Sequence, residues 1–395
     1  MKTIFTWLKW LLIVIVGLPL SVYLLLILIN VNDEEKSNTV IEFEKFLAQR
    51  TTVDDKKNGF VYAMGLTANI DDDFYLAGVE QIKKANMIRS VEDYSPTQED
   101  QYTSNIEKKY TELTKACGKP VNLTDTCAES LQENSQGIDG FLADNAVLLQ
   151  RYQIMINQPA WYESLQANPY TLPSLSLWHI SHKVFLLYVW QQASMGKFEL
   201  AANLLQQDSV FWRKVLSSTH YLLHFVLVTE FIQQHYDWGV FSLNSSARTN
   251  DHTVENVMKN VPSDWSQSYS APVFSFDKIA MGEWQFGRSI LQQVYSDDDW
   301  SLLLIKPIFN LQSTLNFNAD LLVNVVKSEQ SNEQRVATIK ECNQALSFSL
   351  LKWYSYNPVG KLMTCVGGPS FHYYYRKIIA LEDTRLAALK KLQAN

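Results

Sequence analysis

The chain has 395 residues, 47% of them hydrophobic, and 34 Lys and Arg against 41 Asp and Glu give it a net charge of −7. A chain of this length and apolar content can bury a sizeable core. Its acidic balance argues against a general nucleic-acid binder, which would normally present a basic face to phosphate groups. We therefore expect no nucleic acid among its partners.

An uncharged, strongly apolar run lies between Lys9 and Asp33, near the start of the chain. A helix over residues 10–32 would rise about 34 Å, enough to cross a hydrocarbon core of about 30 Å. Lys2 and Lys9 precede the run and acidic residues follow it, so the N-terminus is expected in the cytoplasm. We predict residues 1–32 as a cytoplasmic N-terminus and a single transmembrane anchor, which contacts the lipid bilayer through residues 10–32.

The rest of the chain would then face the periplasm or the cell exterior. A cleaved signal peptide is the alternative interpretation of the same run. It is disfavoured because the run is longer than the apolar core of a typical signal, and because no small-x-small cleavage site follows it.

Residues 33–58 are polar with one short amphipathic stretch, and we predict them as a stalk. The aromatic and β-branched residues at 60–66 favour a short strand, and Asp73 would cap the helix that follows. We therefore predict a small α/β element near residues 59–87. It belongs to a segment, residues 59–137, that also carries a polar loop with two cysteines.

Helical periodicity dominates residues 138–395, where apolar side chains recur three to four positions apart over long stretches. Asp208 or Ser209 offers an N-cap for one of the longest of these helices. The stretch around Ala201 resembles one unit of a helical-hairpin array, but no fixed period surrounds it. The predicted fold class is mainly α: an N-terminal transmembrane helix, then a large α-helical domain built as a bundle or as irregular hairpins, with the small α/β element.

The four cysteines form two local pairs, Cys117 with Cys127 and Cys342 with Cys365. An even number of cysteines in an exported domain predicts disulfides. Zinc is the alternative, but neither pair has the two-to-four-residue spacing of a zinc knuckle and no histidine lies beside them. We predict both pairs as disulfide bonds.

The stretch YNPVGKLMTCVGGPSFHYYYRK, near the C-terminus, allows two interpretations. Cys365 would be a nucleophile if His372 lowered its pKa and served as its base. In the structural interpretation, Asn357 and Pro358 end one helix, a short helix follows, and a Gly-Gly-Pro break precedes a last helix that begins at Phe371. We favour the second interpretation because it accounts for more of the sequence.

Four of the seven histidines occur as two pairs with helical spacing. His179 and His182 lie three positions apart, and His220 and His224 lie four apart, so each pair could share a helix face. Together with Glu230 they could hold a divalent metal between two helices. The second pair lacks the general-base Glu of the zinc-protease motif. The simpler interpretation is that these histidines pack at helix contacts.

Two acidic triplets, at residues 71–73 and 297–299, could suggest calcium. Neither triplet has the alternating oxygen ligands, central glycine and closing Glu of an EF-hand loop. Negative charge also suits a helix N-terminus, so we predict Asp73 and either Asp297 or Asp298 as helix caps.

Three short segments are similar to a poorly characterised group of single-pass envelope proteins in Gram-negative bacteria: NGFVYAMGL at residues 58–66, LLQRYQIMI at 148–156 and YNPVGKLM at 356–363. In that group a Gly-aromatic-Leu stretch follows the anchor and Asn-Pro-Val-Gly-Lys recurs near the C-terminus. The resemblance implies an anchor in the bacterial inner membrane and a periplasmic domain.

The sequence contains no glycine-rich phosphate loop, no G-x-S-x-G elbow and no evident pair of catalytic carboxylates. Its 11 Trp and 19 Tyr suit protein interfaces as well as cores. We predict a protein without catalytic activity that binds another envelope protein or a toxin, as an envelope-assembly factor or as a toxin-neutralising immunity protein. The alternative is a metal-dependent envelope hydrolase that uses the helical histidines; no cofactor is expected apart from that metal.

Overall fold

A computed structural model of the chain describes residues 7, 10, 13–50, 52–88, 99–118, 123–165, 175–249, 261–269, 276–296, 300–330, 342, 355–367 and 371–394. The predicted helix cap at Asp297 or Asp298 lies outside these ranges, as do residues 331–341 and 343–354 of the predicted α-helical domain.

The described residues are mainly α-helical and include no β-strand, so the prediction of a mainly α fold is confirmed. The α-helices, in chain order, are α1 (Leu18–Ile29), α2 (Asn38–Ala48), α3 (Gly59–Gly65), α4 (Phe74–Met87), α5 (Glu99–Leu113), α6 (Asp125–Glu133), α7 (Ser135–Asp144), α8 (Ala146–Ile156), α9 (Leu175–Ser194), α10 (Phe198–Ser218), α11 (Leu222–Thr249), α12 (Phe276–Ser296), α13 (Leu311–Gln330), α14 (Pro358–Gly367) and α15 (Phe371–Ala394). A π-helix and five short 3-10 segments accompany them: Ile13–Gly17, Asp55–Lys57, Lys115–Cys117, Ser263–Ser266, Trp300–Leu304 and Lys306–Ile308.

The small α/β element predicted near residues 59–87 is wrong, because the predicted strand is helix α3. The side chains that favoured a strand, among them Phe60 and Val61, are buried on the helix, and this burial outweighs their weak local preference. The predicted cap is confirmed: the Asp73 carboxylate accepts hydrogen bonds from the N–H groups of Tyr75 at 2.9 Å and Leu76 at 3.1 Å.

The predicted transmembrane helix is not supported, because no helix among the described residues is both long and apolar enough to cross a membrane. The apolar run divides into a π-helix, Ile13–Gly17, and the 12-residue helix α1. Pro19 lies in the first turn of α1 and has no N–H to donate to the preceding turn. This gap in the hydrogen-bond ladder accounts for the change of helix type at Gly17.

The chain divides into two compact units, and neither is continuous in sequence. The first unit combines residues 1–50 with residues 283–372, and the second combines residues 51–282 with residues 373–395.

In the first unit, the segment after α1 is joined to the start of α14 by buried asparagines. The Asn30 side-chain oxygen accepts the N–H of Asn357 at 2.6 Å. The Asn357 side chain then accepts the N–H of Asn310 at 3.0 Å and donates to the Thr314 hydroxyl at 2.9 Å. Asn357 has a φ of 49°, a left-handed conformation that asparagine tolerates better than most residues.

Residues 33–48, which fall in the predicted stalk and its amphipathic stretch, pack within the first unit. The Asp33 carboxylate caps α13 by accepting the N–H groups of Gln312 at 2.7 Å and Ser313 at 2.9 Å. Helix α2 buries Phe43 edge-on against Trp284, with ring centroids 5.7 Å apart. Capping and aromatic packing therefore fix this segment to the unit.

The second unit is built around helix α9, which packs against both α10 and α11. Residues 184–187 of α9 are completely buried, and four consecutive residues cover a full helical turn. A helix that is buried on all sides is a central core element. Helices α10 and α11 also contact each other, so α9, α10 and α11 form the central three-helix core.

Helices α3 and α4 form a tight hairpin in the second unit, because glycines allow their backbones to meet. A Cβ atom on Gly65 would overlap the carbonyl oxygen of Phe74, and one on Gly78 would overlap that of Val61. The buried Arg151 of α8 fixes the connection by donating to the carbonyls of Asp72 at 3.2 Å and Ile70 at 3.4 Å, and to those of Ala68 and Asn69.

We predict that Gly65→Ala and Gly78→Ala each lower the free energy of unfolding by about 1–3 kcal/mol, because the added methyl group must displace backbone atoms. The measurement is urea unfolding of the full chain in mild detergent, followed by tryptophan fluorescence. Gly140→Ala in α7 is the matched control, since no atom lies within 4 Å of the added Cβ. The control should raise stability by about 0.5–1 kcal/mol; equal effects at all three positions would contradict the close helix contact.

Candidate functional site

Both predicted disulfides are confirmed: Cys117 is bonded to Cys127, and Cys342 to Cys365. Two disulfides are typical of an oxidising, extracytoplasmic compartment. Cys365 has no free thiol, so it does not act as a nucleophile while this bond is intact. Asn357 directly precedes α14, and α15 begins at Phe371, as the structural interpretation of this stretch predicts.

The four predicted metal-ligating histidines all lie in the second unit, where they make three separate sets of contacts. His179 Nε2 lies 3.3 Å from Glu230 Oε1, at a partly exposed position. His182 faces Asp208, whereas His220 and His224 face Glu163.

The spacing of the second histidine pair does not place both residues on one helix. His220 lies in the short connection before α11, and His224 lies in the first turn of α11. The helix face predicted to be shared by this pair is therefore absent, because α10 ends at Ser218. The N–H of His220 donates to the Glu163 carboxylate at 2.8 Å, so this buried acid satisfies a backbone group at the interruption.

The first candidate site is the Asp208 cluster, which consists of Asp208 with Tyr152, His182, Trp212 and His235. The Tyr152 hydroxyl donates to Asp208 Oδ1 at 2.6 Å, and the Trp212 indole N–H donates to the same oxygen at 3.0 Å. His235 Nδ1 lies 2.8 Å and His182 Nε2 lies 3.4 Å from Asp208 Oδ2. Both carboxylate oxygens are thus occupied by groups of the chain itself.

The hydrogen bonds of the Asp208 cluster fix the tautomer of His235. The indole N–H of Trp265 can only donate, and it lies 2.9 Å from His235 Nε2. His235 therefore accepts at Nε2 and donates from Nδ1 to Asp208.

The charges of the Asp208 cluster are set by burial and by these contacts. Burial alone would raise the pKa of Asp208, but its interactions with His182 and His235 outweigh burial and hold the pKa below its ordinary value. Burial lowers the pKa of His182, which favours the neutral ring. Burial and the neighbouring Asp208 raise the pKa of Tyr152, so the phenol keeps the proton that it donates.

The second candidate site is the Glu163 cluster, which consists of Glu163 with Trp161, Thr219, His220 and His224. Glu163 Oε1 accepts from the Thr219 hydroxyl at 2.6 Å and the Trp161 indole at 3.2 Å. His224 Nδ1 lies 2.7 Å from the same oxygen. Burial alone would raise the pKa of Glu163, but His224 and the hydrogen bonds from Thr219 and His220 lower it to about 2.

A histidine that is oriented by a carboxylate at Nδ1 is also half of a catalytic dyad, and His224 has this arrangement. Its Nε2 atom is buried and has no hydrogen-bond partner among the described residues. The imidazole is surrounded by the rings of Phe60, Trp178 and Tyr221, with centroids 5.3 to 6.0 Å away. His224 is 1% exposed, so a substrate could reach it only after these rings moved.

Aromatic side chains connect the two clusters through the core. The Trp161 ring lies 6.4 Å from the Trp212 ring, while their indole N–H groups bind Glu163 and Asp208, respectively. The Phe211 ring lies 5.8 Å from Trp161 and 5.0 Å from Trp212. The two buried carboxylates are therefore held by one continuous aromatic core.

Within the ranges that the structure describes, no group of three or more His, Cys, Asp or Glu side chains could hold a metal ion. A metal at His179, His182, His220, His224 and Glu230 thus stays a prediction without support from geometry.

The two acids that organise the clusters were not recognised as site residues in the sequence. Asp208, predicted as a possible helix cap, lies in the middle of α10, which begins at Phe198. One signal was present, because Asp208 occupies the apolar stripe of α10 between Leu204 and Trp212. Glu163 lies outside the named helices, where no periodic pattern could mark it as buried.

Comparison with protein-family models, with curated proteins and with solved structures found no match to this chain.

We predict that Glu163 makes stability depend on pH in the acid range. Its pKa is depressed from 4.5 to about 2 by folding, so its contribution is present above pH 4.5 and is lost as pH falls to about 2. Glu163→Gln should lower the free energy of unfolding by about 3 kcal/mol at pH 7 and flatten the loss between pH 4.5 and 2.

The measurement is urea unfolding of both proteins in steps from pH 7 to pH 2. Glu133→Gln, at an exposed position in α6, is the control and should follow the wild type at every pH. A Glu163→Gln curve parallel to that of the wild type would contradict the role given to this carboxylate.

Proposed function

We propose that the chain is a bacterial inner-membrane protein that is anchored by its N-terminal apolar run and binds another protein in the periplasm. Its partner would be an envelope protein during assembly or a toxin that it neutralises.

Anchoring is supported by the exposure of the apolar run in the first unit. Eleven large aliphatic residues between positions 13 and 29 are exposed: Ile13, Val14, Ile15, Val16, Leu18, Leu20, Val22, Leu24, Leu25, Leu28 and Ile29. Each Å² of apolar surface removed from water is worth about 25 cal/mol, so transfer of this run into lipid would be strongly favourable. Soluble proteins rarely expose a contiguous apolar surface of this kind without a partner or a membrane.

The observation that carries the binding proposal is a pair of exposed aliphatic side chains on the rigid backbone of the α3–α4 hairpin. Ile70, in the connection, is 71% exposed and Leu76, in α4, is 60% exposed. Arg151 binds the carbonyls of this connection, and the contact between Gly65 and Gly78 fixes the helices beneath it. A surface that is already rigid loses little entropy on association, which favours protein binding.

The Asp208 cluster and the Glu163 cluster favour binding over catalysis for a separate reason. The side chains of Asp208 and Glu163 are completely buried, and donors of the chain itself occupy their oxygens. Buried carboxylates that are hydrogen-bonded in this way stabilise and specify a core. The two carboxylates are thus accounted for by folding, while His224 Nε2, which has no hydrogen-bond partner among the described residues, is buried behind aromatic rings.

We predict that the full chain stays with the membrane fraction after carbonate extraction. Each Asp at the centre of a membrane helix costs about 2.5–3.5 kcal/mol, so Leu18→Asp with Leu20→Asp, near the middle of the predicted span, should release a large fraction of the protein. The control, Ile41→Asp with Leu362→Asp, changes two exposed aliphatic residues elsewhere in the first unit and should not. Carbonate extraction of the wild type would count against an anchor.

We predict that Ile70→Asp with Leu76→Asp abolishes cross-linking to the partner in intact cells while leaving the fold unchanged. The charges would be forced into the contact that the hairpin makes, at a cost of several kcal/mol. Leu200→Asp, at an exposed site on α10, is the matched control and should cross-link normally. Equal cross-linking by the hairpin variant and the control would reject the hairpin as the binding surface.

A further inference from the structure

A short 3-10 segment of the first unit lies beside helix α1. The Tyr23 hydroxyl of α1 donates to the carbonyl oxygen of Leu304 at 2.9 Å. Tyr23, Leu26 and Ile27 are the half-buried residues of α1, and they share one helix face because they are spaced three and four apart. Helix α1 also contacts the segment Lys306–Ile308, so this face is covered by the chain around Leu304.

The same segment turns three consecutive apolar side chains outwards. Leu303 is 61% exposed, Leu304 is 65% exposed and Ile305 is 37% exposed. Three adjacent exposed aliphatic residues are unfavourable in water and usually mark a surface that is covered in use.

The position of the segment along α1 indicates what covers it. Tyr23 precedes Asn30 by seven residues, which corresponds to about 10 Å along a helix axis. The exposed apolar run ends near Asn30, whose side chain is buried in the asparagine network of the first unit. If the run enters the bilayer near Asn30, Leu304 lies about 10 Å inside a hydrocarbon core of about 30 Å.

The backbone of the segment is suited to this depth. The N–H of Ile305 donates to the carbonyl of Leu302 at 2.9 Å, and the N–H of Ile308 donates to that of Ile305 at 3.0 Å. The carbonyl of Leu304 accepts from Tyr23. Internal hydrogen bonds of this kind are what lipid requires of non-helical chain, because no water is present to replace them.

We propose that residues 302–305 form a membrane-insertion loop, which enters the same leaflet as the periplasmic end of the anchor and contacts lipid acyl chains. This inference rests on the proposed anchor and goes beyond it. The anchor alone would leave the first unit free to rotate about one helix, whereas a second inserted element fixes which face of the unit meets the bilayer.

The experiment measures the depth of fluorescent probes on the full chain. All four native cysteines are in disulfides, so an introduced cysteine is the one free thiol available for an environment-sensitive fluorophore. Three single variants are labelled: Leu304→Cys in the loop, Leu24→Cys in the anchor and Ile41→Cys as an exposed position on α2 of the same unit. Each is reconstituted into vesicles of phosphatidylethanolamine and phosphatidylglycerol, with nitroxides on the acyl chains as lipid quenchers and iodide as the aqueous quencher.

We expect the probe at Leu304 to behave like the probe at Leu24: quenched by lipid nitroxides, blue-shifted in emission, and quenched by iodide several-fold less than the probe at Ile41. Leu303→Cys is the second loop variant and should give the same result if labelling at Leu304 prevents folding.

The other outcomes separate the two proposals. A lipid-quenched Leu24 with iodide-quenched Leu304 and Leu303 would overturn the insertion loop and leave the anchor. Iodide quenching at Leu24 as well would overturn the anchor together with the loop. Protection of the loop from both quenchers would mean that protein covers it, from the same chain or from a second copy, and would overturn lipid as its partner.

Discussion

The centre of the second unit depends on the buried negative charge of Asp208. A carboxylate without exposed surface must be surrounded by donors, because its burial would otherwise cost several kcal/mol. Four helices supply or hold these groups: α8 provides Tyr152, α9 provides His182, α10 carries Asp208 with Trp212, and α11 provides His235. The orientation of these four helices is therefore constrained, in addition to the apolar area that they bury, because each helix must place a polar group at the same point.

Glu163 imposes a similar constraint where α10 ends and α11 begins. Its carboxylate binds Thr219 and His220 in the connection and His224 in the first turn of α11. A connection outside the regular helices thus supplies the charge that orients the next helix, and negative charge at a helix N-terminus is favourable. Two of the histidines that resemble a metal site in the sequence contact this distant acid in the structure, His224 through its ring and His220 through its backbone N–H.

This separation along the chain explains which parts of the structure could be predicted from the sequence. The helices follow from periodicity, the disulfides from two local pairs of cysteines, and the Asp73 cap from its place before α4; all depend on nearby residues. The prediction of a strand at residues 60–66 was wrong because a segment this short shows no clear periodicity. Its packing in the core determines its secondary structure instead. The roles of Asp208 and Glu163 depend on residues up to 61 positions away, such as His224, and so leave almost no local trace.

The three segments on which the sequence resemblance was predicted have structural roles in this chain. Asn357 joins the segment after α1 to the start of α14, and Arg151 binds the connection of the α3–α4 hairpin, whose own close contact requires Gly65. Each residue type suits its local geometry: asparagine tolerates the left-handed backbone, arginine can donate to several carbonyls, and glycine permits the close helix contact. Because Asn30 ends the apolar run and is itself bound to Asn357, a flexible tether does not separate that run from the folded first unit. An anchor attached in this way would transmit its own tilt in the bilayer directly to the first unit. A second lipid contact beside the anchor would then have to fix only the rotation of that unit about the anchor axis.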